Sequence, residues 1–304
     1  TKKPKIETKQ TEKKVEKKPD KKPNKVKKER EAKKKEKKVE KPELKVKKNN
    51  VAEVILPDLN LKTETVIQLF KDVDYDLRTV RNEKLVKPIY FTQFPRDLDA
   101  LQSTKLKKET FIKIVLPLIV AENERILADR EKLIILSDKK FTTDLEKQWL
   151  RQKLLEYKVK KSDLKELLIR MDIIPVSIAL AQAAKESGWG TSRFALEGNA
   201  LFGQWTWDKS KGIKPQNASD SKAAVRKFET LNDSIVAYMI NLNTHKAYSS
   251  MRSKRKRDCD QNNLISGYEL ANWMGNYAIT RDEYIKTLRL VIKKNKLDLL
   301  DSLI

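Results

Sequence analysis

One carboxylate, Glu186, stands at the end of an alanine-rich apolar stretch and directly before a loop of glycine and aromatic residues. Apolar residues from Ile174 to Ala184 recur at the spacing of a largely buried helix, and Gly188 and Gly190 are typical of a helix end. Partial burial and the negative end of the helix dipole both oppose a charge on Glu186. The sequence therefore predicts a raised pKa, which suits a general acid that donates a proton to the leaving oxygen of a glycosidic bond. The alternative at this point is an ordinary exposed glutamate in the last turn of the helix.

The elements that position Glu186 follow from the hydrophobic pattern. Pro175 is suited to the first turn of the Glu186 helix. Residues 204–207 and 222–228 read as a strand and a return strand, joined by a turn-rich polar loop, and thus as a small β-lobe that faces this helix. Thr230 or Asn232 is suited to capping the helix that follows. Further helices are predicted over 105–137, with a kink or break near Pro117, and over 144–157, 162–171, 233–244, 266–274 and 282–293.

The composition divides the chain into three parts. Residues 1–50 hold 23 Lys and Arg against 9 Asp and Glu, contribute +14 of the net charge of +24, and contain no aromatic residue. They bury too little apolar surface to offset chain entropy, which predicts a disordered basic linker. Residues 51–104 are predicted to form an accessory region packed on the enzyme. Residues 105–304 are predicted to be the catalytic domain, with a mainly α (α+β) fold and a small β-hairpin lobe.

The composition also limits the chemistry. With one Cys and one His in the chain, an intrachain disulfide is excluded and a transition-metal site is not expected. We expect no metal and no cofactor. No run of about twenty apolar residues suggests a membrane span, and the first residue, Thr1, is not an initiator methionine. We expect a signal peptide or a membrane anchor before Thr1, and the sequence leaves the choice between them open.

Four stretches, in the same order along the chain, carry a family resemblance. Ala-Gln-Ala-Ala-Lys-Glu-Ser-Gly-Trp-Gly-Thr-Ser (181–192) with Gly-Asn-Ala-Leu-Phe-Gly-Gln-Trp (198–205) resembles the signature of bacterial glucosaminidase domains, glycoside hydrolase family 73. Residues 237–248 and the upstream pieces 94–101 and 111–119 are similar to the Bax-type branch, and residues 276–288 resemble the closing motif of the family. The resemblance implies a lysozyme-like architecture and a bacterial enzyme of the periplasm or cell envelope. The implied reaction is hydrolysis of the β-1,4 bond between N-acetylglucosamine and N-acetylmuramic acid in peptidoglycan glycan strands.

The resemblance also implies roles for single residues. It makes Glu186 the general acid and places Tyr277, of the Tyr-Ala pair, in the cleft near the reacting sugar. The second catalytic group stays open between Glu229, Asp220 and the 2-acetamido group of the substrate itself, and so does the choice between a retaining and an inverting outcome.

Aromatic and amide side chains around the glycines are candidates for sugar contacts. Aromatic rings next to glycines either stack on a sugar face or fill a small core, and we expect sugar contact for Trp205 and core packing for Trp189. Asn199 is expected to hydrogen-bond a loop backbone and shape the cleft wall. The predicted substrate-binding residues are Asn199, Phe202, Gln204, Trp205, Trp207, Tyr238 and Asn243.

Two basic segments bear on partners. Arg252, Lys254, Arg255, Lys256 and Arg257 resemble a nucleic-acid patch if read alone, but their position between two predicted helices favours a solvated loop. In such a loop they are candidates for contact with the peptide-stem carboxylates of peptidoglycan. Residues 1–50 are a solvated spacer or contact anionic envelope polymers or lipid headgroups. We expect no nucleic-acid partner.

Three functions remain in view from the sequence. The first is the glucosaminidase, and the second is a lytic transglycosylase on the same fold, which makes anhydro-muramic ends without water. The third is a non-catalytic peptidoglycan-binding module, which the lack of a clear second carboxylate keeps open. Asn-Ala-Leu-Phe-Gly at 199–203 favours the hydrolase.

Overall fold

The computed structural model describes residues 61–214, 224–261 and 263–304. These residues fall within one compact unit, Leu56–Ile304. The predicted linker at 1–50 and the candidate Asp220 lie outside the described residues.

The described chain is mainly helical, and the helices carry their apolar residues into a shared core. Six 3₁₀ turns described in it join or end these helices, among them Gly275–Tyr277 and Asp298–Leu303. The α-helices are α1 (Thr63–Asp72), α2 (Leu77–Glu83), α3 (Thr104–Asp138), α4 (Asp144–Glu156), α5 (Leu164–Arg170), α6 (Val176–Ser187), α7 (Arg193–Gly198), α8 (Leu231–Thr244), α9 (Ser249–Asp260), α10 (Gly267–Leu270) and α11 (Arg281–Lys294).

Helix α6 lies at the centre of this core. Every residue of α6 is buried except Lys185 and Glu186, and the helix packs against α3, α10, α11 and the Asp298–Leu303 turn. Pro175 is its N-cap, and Gly188 ends it in the left-handed conformation, with φ of 59°. The sequence thus predicted the C-terminal end of α6 correctly.

A small antiparallel sheet follows α7. Its strands are β1 (Trp205–Thr206), β2 (Gly212–Ile213) and β3 (Ala224–Arg226), in the order β1-β3-β2. Trp205 pairs with Val225, and Ile213 pairs with the same residue from the other side. The sequence predicted β1 and β3 and assigned residues 208–220 to a loop, so it missed β2, which at two residues is too short for an alternating pattern.

The predicted fold class, mainly α with a small β-lobe, is confirmed. Helix α3 runs unbroken through Pro117, and α10 is shorter than the predicted helix over 266–274. Thr230, one of the two residues predicted to cap this helix, is the N-cap of α8 and forms a capping box with Asp233. In the described part of the chain no helix is both long and apolar enough to cross a membrane.

The basic cluster is not a solvated loop. Residues 249–260 form helix α9, and Arg252 and Arg255 are buried on its inner face. Arg255 is fully buried and donates to the carbonyl oxygens of Ile169 and Ile173 and to Oδ1 of Asn243, at 2.7 to 2.9 Å. The predicted solvated loop is therefore wrong, because Arg255 holds the segment that leads into α6 and Arg252 donates to the carbonyl oxygens of Leu242 and His245 at the end of α8.

Candidate active site

Glu186 occupies the last turn of α6, where the helix reaches the surface. Its side chain is half-buried, and the Tyr284 hydroxyl of α11 donates to Oε1 at 2.9 Å. The other oxygen, Oε2, faces Gly203, since a Cβ placed on that glycine would lie 3.7 Å from it. Burial raises the pKa of Glu186, while the Tyr284 hydrogen bond and the charge of Lys185 oppose that rise less strongly. The predicted direction of the shift is confirmed.

A cavity of about 430 Å³ opens beside this carboxyl group. Its wall includes Gly203, Gln204 and Trp205 on one side and Tyr248 and Tyr277 on another. Glu186 does not itself line the cavity and lies next to it, behind Gly203. Gly203 has φ of 59° and no side chain, so its backbone leaves Oε2 close to the cavity.

Tyr284 belongs to a chain of buried hydrogen bonds that ends on Glu186. Tyr238 donates to Oε1 of Gln182 at 2.6 Å, and Nε2 of Gln182 donates to the Tyr284 hydroxyl at 2.9 Å. Sequence analysis did not single out Gln182 or Tyr284. The signal that points to Gln182 is its i, i+4 spacing from Glu186, because the two residues share one face of α6. Tyr284 lies in the closing motif at 276–288, seven residues after Tyr277.

The segment that holds this geometry matches a known family. Residues 161–297 match the glucosaminidase family, described as mannosyl-glycoprotein endo-beta-N-acetylglucosaminidase. The chain is also similar to Protein bax of Escherichia coli (strain K12), with 37% identity over 173 residues. Over this segment the chain is similar to Bax-type glucosaminidase-domain proteins.

The extent of these likenesses is limited. The alignment covers 54% of this chain and 62% of Protein bax, so the chain spans less than two thirds of that relative. No solved structure matches the chain, and the lysozyme-like architecture therefore stays a prediction. The matching family model is that of a glycoside-cleaving enzyme, as its description states.

Several predicted site residues of the glucosaminidase domain come together at the cavity. Gln204, Trp205 and Tyr277 line it, and Trp205 is 62% exposed. The half-buried Tyr277 donates its hydroxyl to the carbonyl oxygen of Phe202 at 2.8 Å, and its ring stacks on Tyr284 with centroids 5.7 Å apart. Burial raises the pKa of Tyr277 well above its usual value, so this hydroxyl is a hydrogen-bond donor and not a base.

Two other predicted residues lie nearby with different surroundings. Trp207 is 80% exposed at the edge of the β-lobe and does not line the cavity. Asn199 donates through Nδ2 to the carbonyl oxygens of Phe228 and Glu229, at 3.3 and 2.9 Å. Asn199 therefore joins α7 to the start of α8, as expected for a residue that shapes a wall, and Trp189 packs edge-on against Phe111 of the core.

Three predicted sugar contacts have buried side chains, and two of them, Tyr238 and Asn243, are wrong for that reason, while Phe202 lines the cavity. Tyr238 has no exposed surface, and its ring stacks on Phe202, which is 1% exposed, with centroids 3.8 Å apart. Phe202 reaches the cavity wall by its backbone. Asn243 is fully buried, donates to the carbonyl oxygen of Asp172 at 2.9 Å and accepts from Arg255. The inward face of α8 carries Tyr238 and Asn243, and a sequence motif does not distinguish inward from cleft-facing positions.

Among the described residues, the candidate second carboxylate Glu229 does not line the cavity. Glu229 is exposed and lines a separate hollow of about 830 Å³, whose wall shares Arg226, Ala237 and Ile240 with the cavity. Asp208 accepts from the backbone and hydroxyl of Ser210, which lowers its pKa and gives it a capping role. Within the described ranges no group of three His, Cys, Asp or Glu side chains is arranged to hold a metal ion.

Proposed function

We propose that this protein is a peptidoglycan hydrolase that cleaves the β-1,4 bond between N-acetylglucosamine and N-acetylmuramic acid, with Glu186 as general acid. The observation that carries the proposal is the half-buried Glu186 carboxyl group, held by Tyr284, with Oε2 beside Gly203 in the wall of a cavity. This group lies inside the segment that matches the glucosaminidase family.

The environment of Glu186 suits proton donation. Burial raises the pKa of this carboxyl group and so favours its protonated form. With Oε1 engaged by Tyr284, Oε2 is the oxygen that faces a glycosidic oxygen bound beside Gly203. The exposed ring of Trp205 can stack on one sugar face, and Gln204 offers an amide to its hydroxyl or acetamido groups.

In this proposal no carboxylate of the protein reaches the reacting carbon, and the substrate itself supplies the second catalytic group. The residues that line the described cavity include no Asp or Glu, which favours attack by the 2-acetamido group over attack by Glu229. Asp220 keeps the alternative open, because it lies outside the described residues. The variants Glu229→Gln and Asp220→Asn separate these routes. If a protein carboxylate is the nucleophile or base, one of the two variants loses activity. If the acetamido group attacks, both variants keep it.

The charge of the cavity favours an anionic glycan over a neutral one. Lys158 and Arg226 line the cavity, and no carboxylate faces them from its wall. Peptidoglycan carries carboxylates on its muramic acid and peptide stems, which these cations attract. We also propose that residues 1–50 contact anionic polymers or lipid headgroups of the bacterial cell envelope, where such a substrate occurs.

Digestion of purified sacculi, followed by mass spectrometry, tests the proposal. We expect products with reducing N-acetylglucosamine ends, and Glu186→Gln is expected to lower the rate by roughly two orders of magnitude or more, because it removes the acid and keeps the shape. Glu229→Gln is the matched control, and a loss below about tenfold is expected when the acetamido group attacks.

Other outcomes select the alternatives. Anhydro-muramic products would identify a lytic transglycosylase. Equal clearing of sacculi by the wild type and Glu186→Gln, with no new ends, would identify a binding module. Either result would overturn the proposed hydrolase.

A further inference from the structure

Gln182 is a buried amide in the apolar centre of α6, and two tyrosine hydroxyls from different helices meet it. Tyr238 of α8 donates to its oxygen at 2.6 Å, and its nitrogen donates to Tyr284 of α11 at 2.9 Å. Gln182 and Tyr238 have no exposed surface, and Tyr284 is 2% exposed. A polar group costs free energy in such a core unless its hydrogen bonds are made, so these three groups must satisfy one another.

The direction of each hydrogen bond follows from the set of linked hydrogen bonds that runs from Tyr238 through Gln182 and Tyr284 to Glu186. Burial raises the pKa of Tyr238 well above its usual value, so this hydroxyl keeps its hydrogen and donates it. The Gln182 oxygen receives that hydrogen, which leaves the Gln182 nitrogen to donate to the Tyr284 oxygen. Tyr284 then has its own hydrogen free for Oε1 of Glu186, at 2.9 Å. The reverse amide orientation would direct the Tyr284 hydrogen to Gln182 and leave Tyr238 without its acceptor.

We propose that Gln182, oriented by Tyr238, fixes the Tyr284 hydroxyl as a donor to Oε1 of Glu186, so that Oε2 is the oxygen that carries the proton toward the cavity. This inference rests on the proposed function for its role in catalysis. Gln182, Tyr238 and Tyr284 are positioning residues, since each acts on a substrate through Glu186.

The same chain of hydrogen bonds limits how far burial raises the pKa of Glu186. Donation from Tyr284 favours the carboxylate anion and lowers the pKa, against the larger effect of burial. The other titratable groups that face Glu186 are Lys185 of its own helix, Tyr238 of α8 and Tyr277 of the turn before α11. Lys185 has the one charge among them at neutral pH, and it also favours the anion.

Two variants interrupt the chain of hydrogen bonds at residues that are not themselves hydrogen-bonded to Glu186. Gln182→Met keeps the length of the side chain and removes both hydrogen bonds, and Tyr238→Phe keeps the ring that stacks on Phe202 and frees the amide to turn over. Each weakens donation to Glu186, destabilises its anion and raises its pKa. Because the high-pH limb of kcat/KM reports loss of the acid's proton, we expect its midpoint to rise by about half to one pH unit.

Tyr157→Phe is the matched control, since Tyr157 is a buried tyrosine whose hydroxyl has no hydrogen-bond partner in the described structure. It should leave the midpoint in place. A uniform loss of rate at every pH in Gln182→Met and Tyr238→Phe, with an unmoved midpoint, would show a packing role and overturn the proposal. A shift of equal size in Tyr157→Phe would overturn it as well.

A second measurement separates this inference from the proposed function. Carboxyl-carbon NMR of protein labelled at glutamate, with Glu186 assigned through Glu186→Gln, follows the titration directly without substrate. A wild type that cleaves no glycan but whose Glu186 titration moves upward in Tyr238→Phe refutes the hydrolase and supports the positioning chain. An active wild type whose Glu186 titration is the same in Tyr238→Phe refutes the positioning chain.

Discussion

Arg255 is the largest fully buried side chain in the described part of the molecule, although it comes from the most basic segment outside the first fifty residues. Its guanidinium donates to four acceptors, among them the carbonyl oxygen of Asp172 at 3.3 Å, and its Nε lies 3.5 Å from Oδ2 of Asp172. These contacts join α9 to the segment 169–173, which leads into α6. The cation therefore stabilises the approach to Glu186 and not an external partner.

Removal of this buried cation should be costly. Arg255→Ala leaves Asp172 and several backbone carbonyls without their donor, and a loss of about 3 to 5 kcal/mol in the free energy of unfolding is expected. Arg257→Ala, at an exposed position of the same helix, should change it by less than about 0.5 kcal/mol. Urea unfolding followed by circular dichroism measures both. Similar small changes in the two variants would show that the Arg255 contacts contribute little.

At the scale of elements, α6 is held at both ends by close contacts. At its C-terminal end, Gly190 has φ of 78°, and a Cβ there would come within 3.0 Å of Phe94 and 3.1 Å of Phe111. At its N-terminal end, the buried Asp301 accepts from the backbone and hydroxyl of Ser177 and from the backbone of Gly267, at 2.8 to 2.9 Å. These contacts determine where Glu186 lies along the helix axis.

Asp301 links the stability of this arrangement to pH. Burial raises its pKa to about 6 in the folded protein, so the folded state holds a proton between about pH 4 and 6 that the unfolded state releases. The contribution of Asp301 to stability is therefore greatest below pH 4 and falls as pH rises through 6. The free energy of unfolding of the wild type relative to that of Asp301→Asn should fall by about 3 kcal/mol between pH 4 and pH 7.

Unfolding free energies measured at the two pH values test this sign. Asp298→Asn is the control, because Asp298 forms a surface pair with Lys293 and its removal should give a small difference at both pH values. If the free energy of unfolding of the wild type rises relative to that of Asp301→Asn from pH 4 to pH 7, the three donors around Asp301 lower its pKa by more than burial raises it.

At the scale of the whole molecule, charge is unevenly distributed. Residues 1–50 contribute +14 of the net +24, and the remaining 254 residues contribute +10. Exposed charges of this kind act over about 10 Å at 0.1 M salt and are screened at higher salt. The proposed contact of residues 1–50 with anionic envelope polymers therefore concerns binding and not the bond-cleaving step.

Replacement of the lysines in residues 1–50 by glutamine tests this separation at constant chain length. Binding to sacculi at low salt should fall, and the salt dependence of binding should weaken, because fewer counterions are released. The rate on short soluble glycan fragments should stay the same within about twofold. Cosedimentation over a range of salt concentrations measures the first effect. Unchanged binding at low salt would show that residues 1–50 are a spacer.

Local features of the sequence determined much of this protein. The C-terminal end of α6, the helical segments from 104 to 294 other than α7 and α9, the strands at 205 and 224 and the raised pKa of Glu186 could be predicted, because periodicity, helix-stop residues and helix-end burial act over a few neighbouring residues. The family motifs around 186 and 277 are local in the same sense, and the match to the glucosaminidase family agrees with them.

The tertiary structure decided which of these residues can meet a substrate and which support them. The hydrogen bonds of Gln182 with Tyr238 and Tyr284, and of Tyr284 with Glu186, join residues 56, 102 and 98 positions apart. Asn243, Tyr238 and Arg255 turned out to be buried because their helices present those positions to α5, α6 and the segment between them. Composition and spacing describe a helix face, but the partner that covers it is determined by packing between distant parts of the chain.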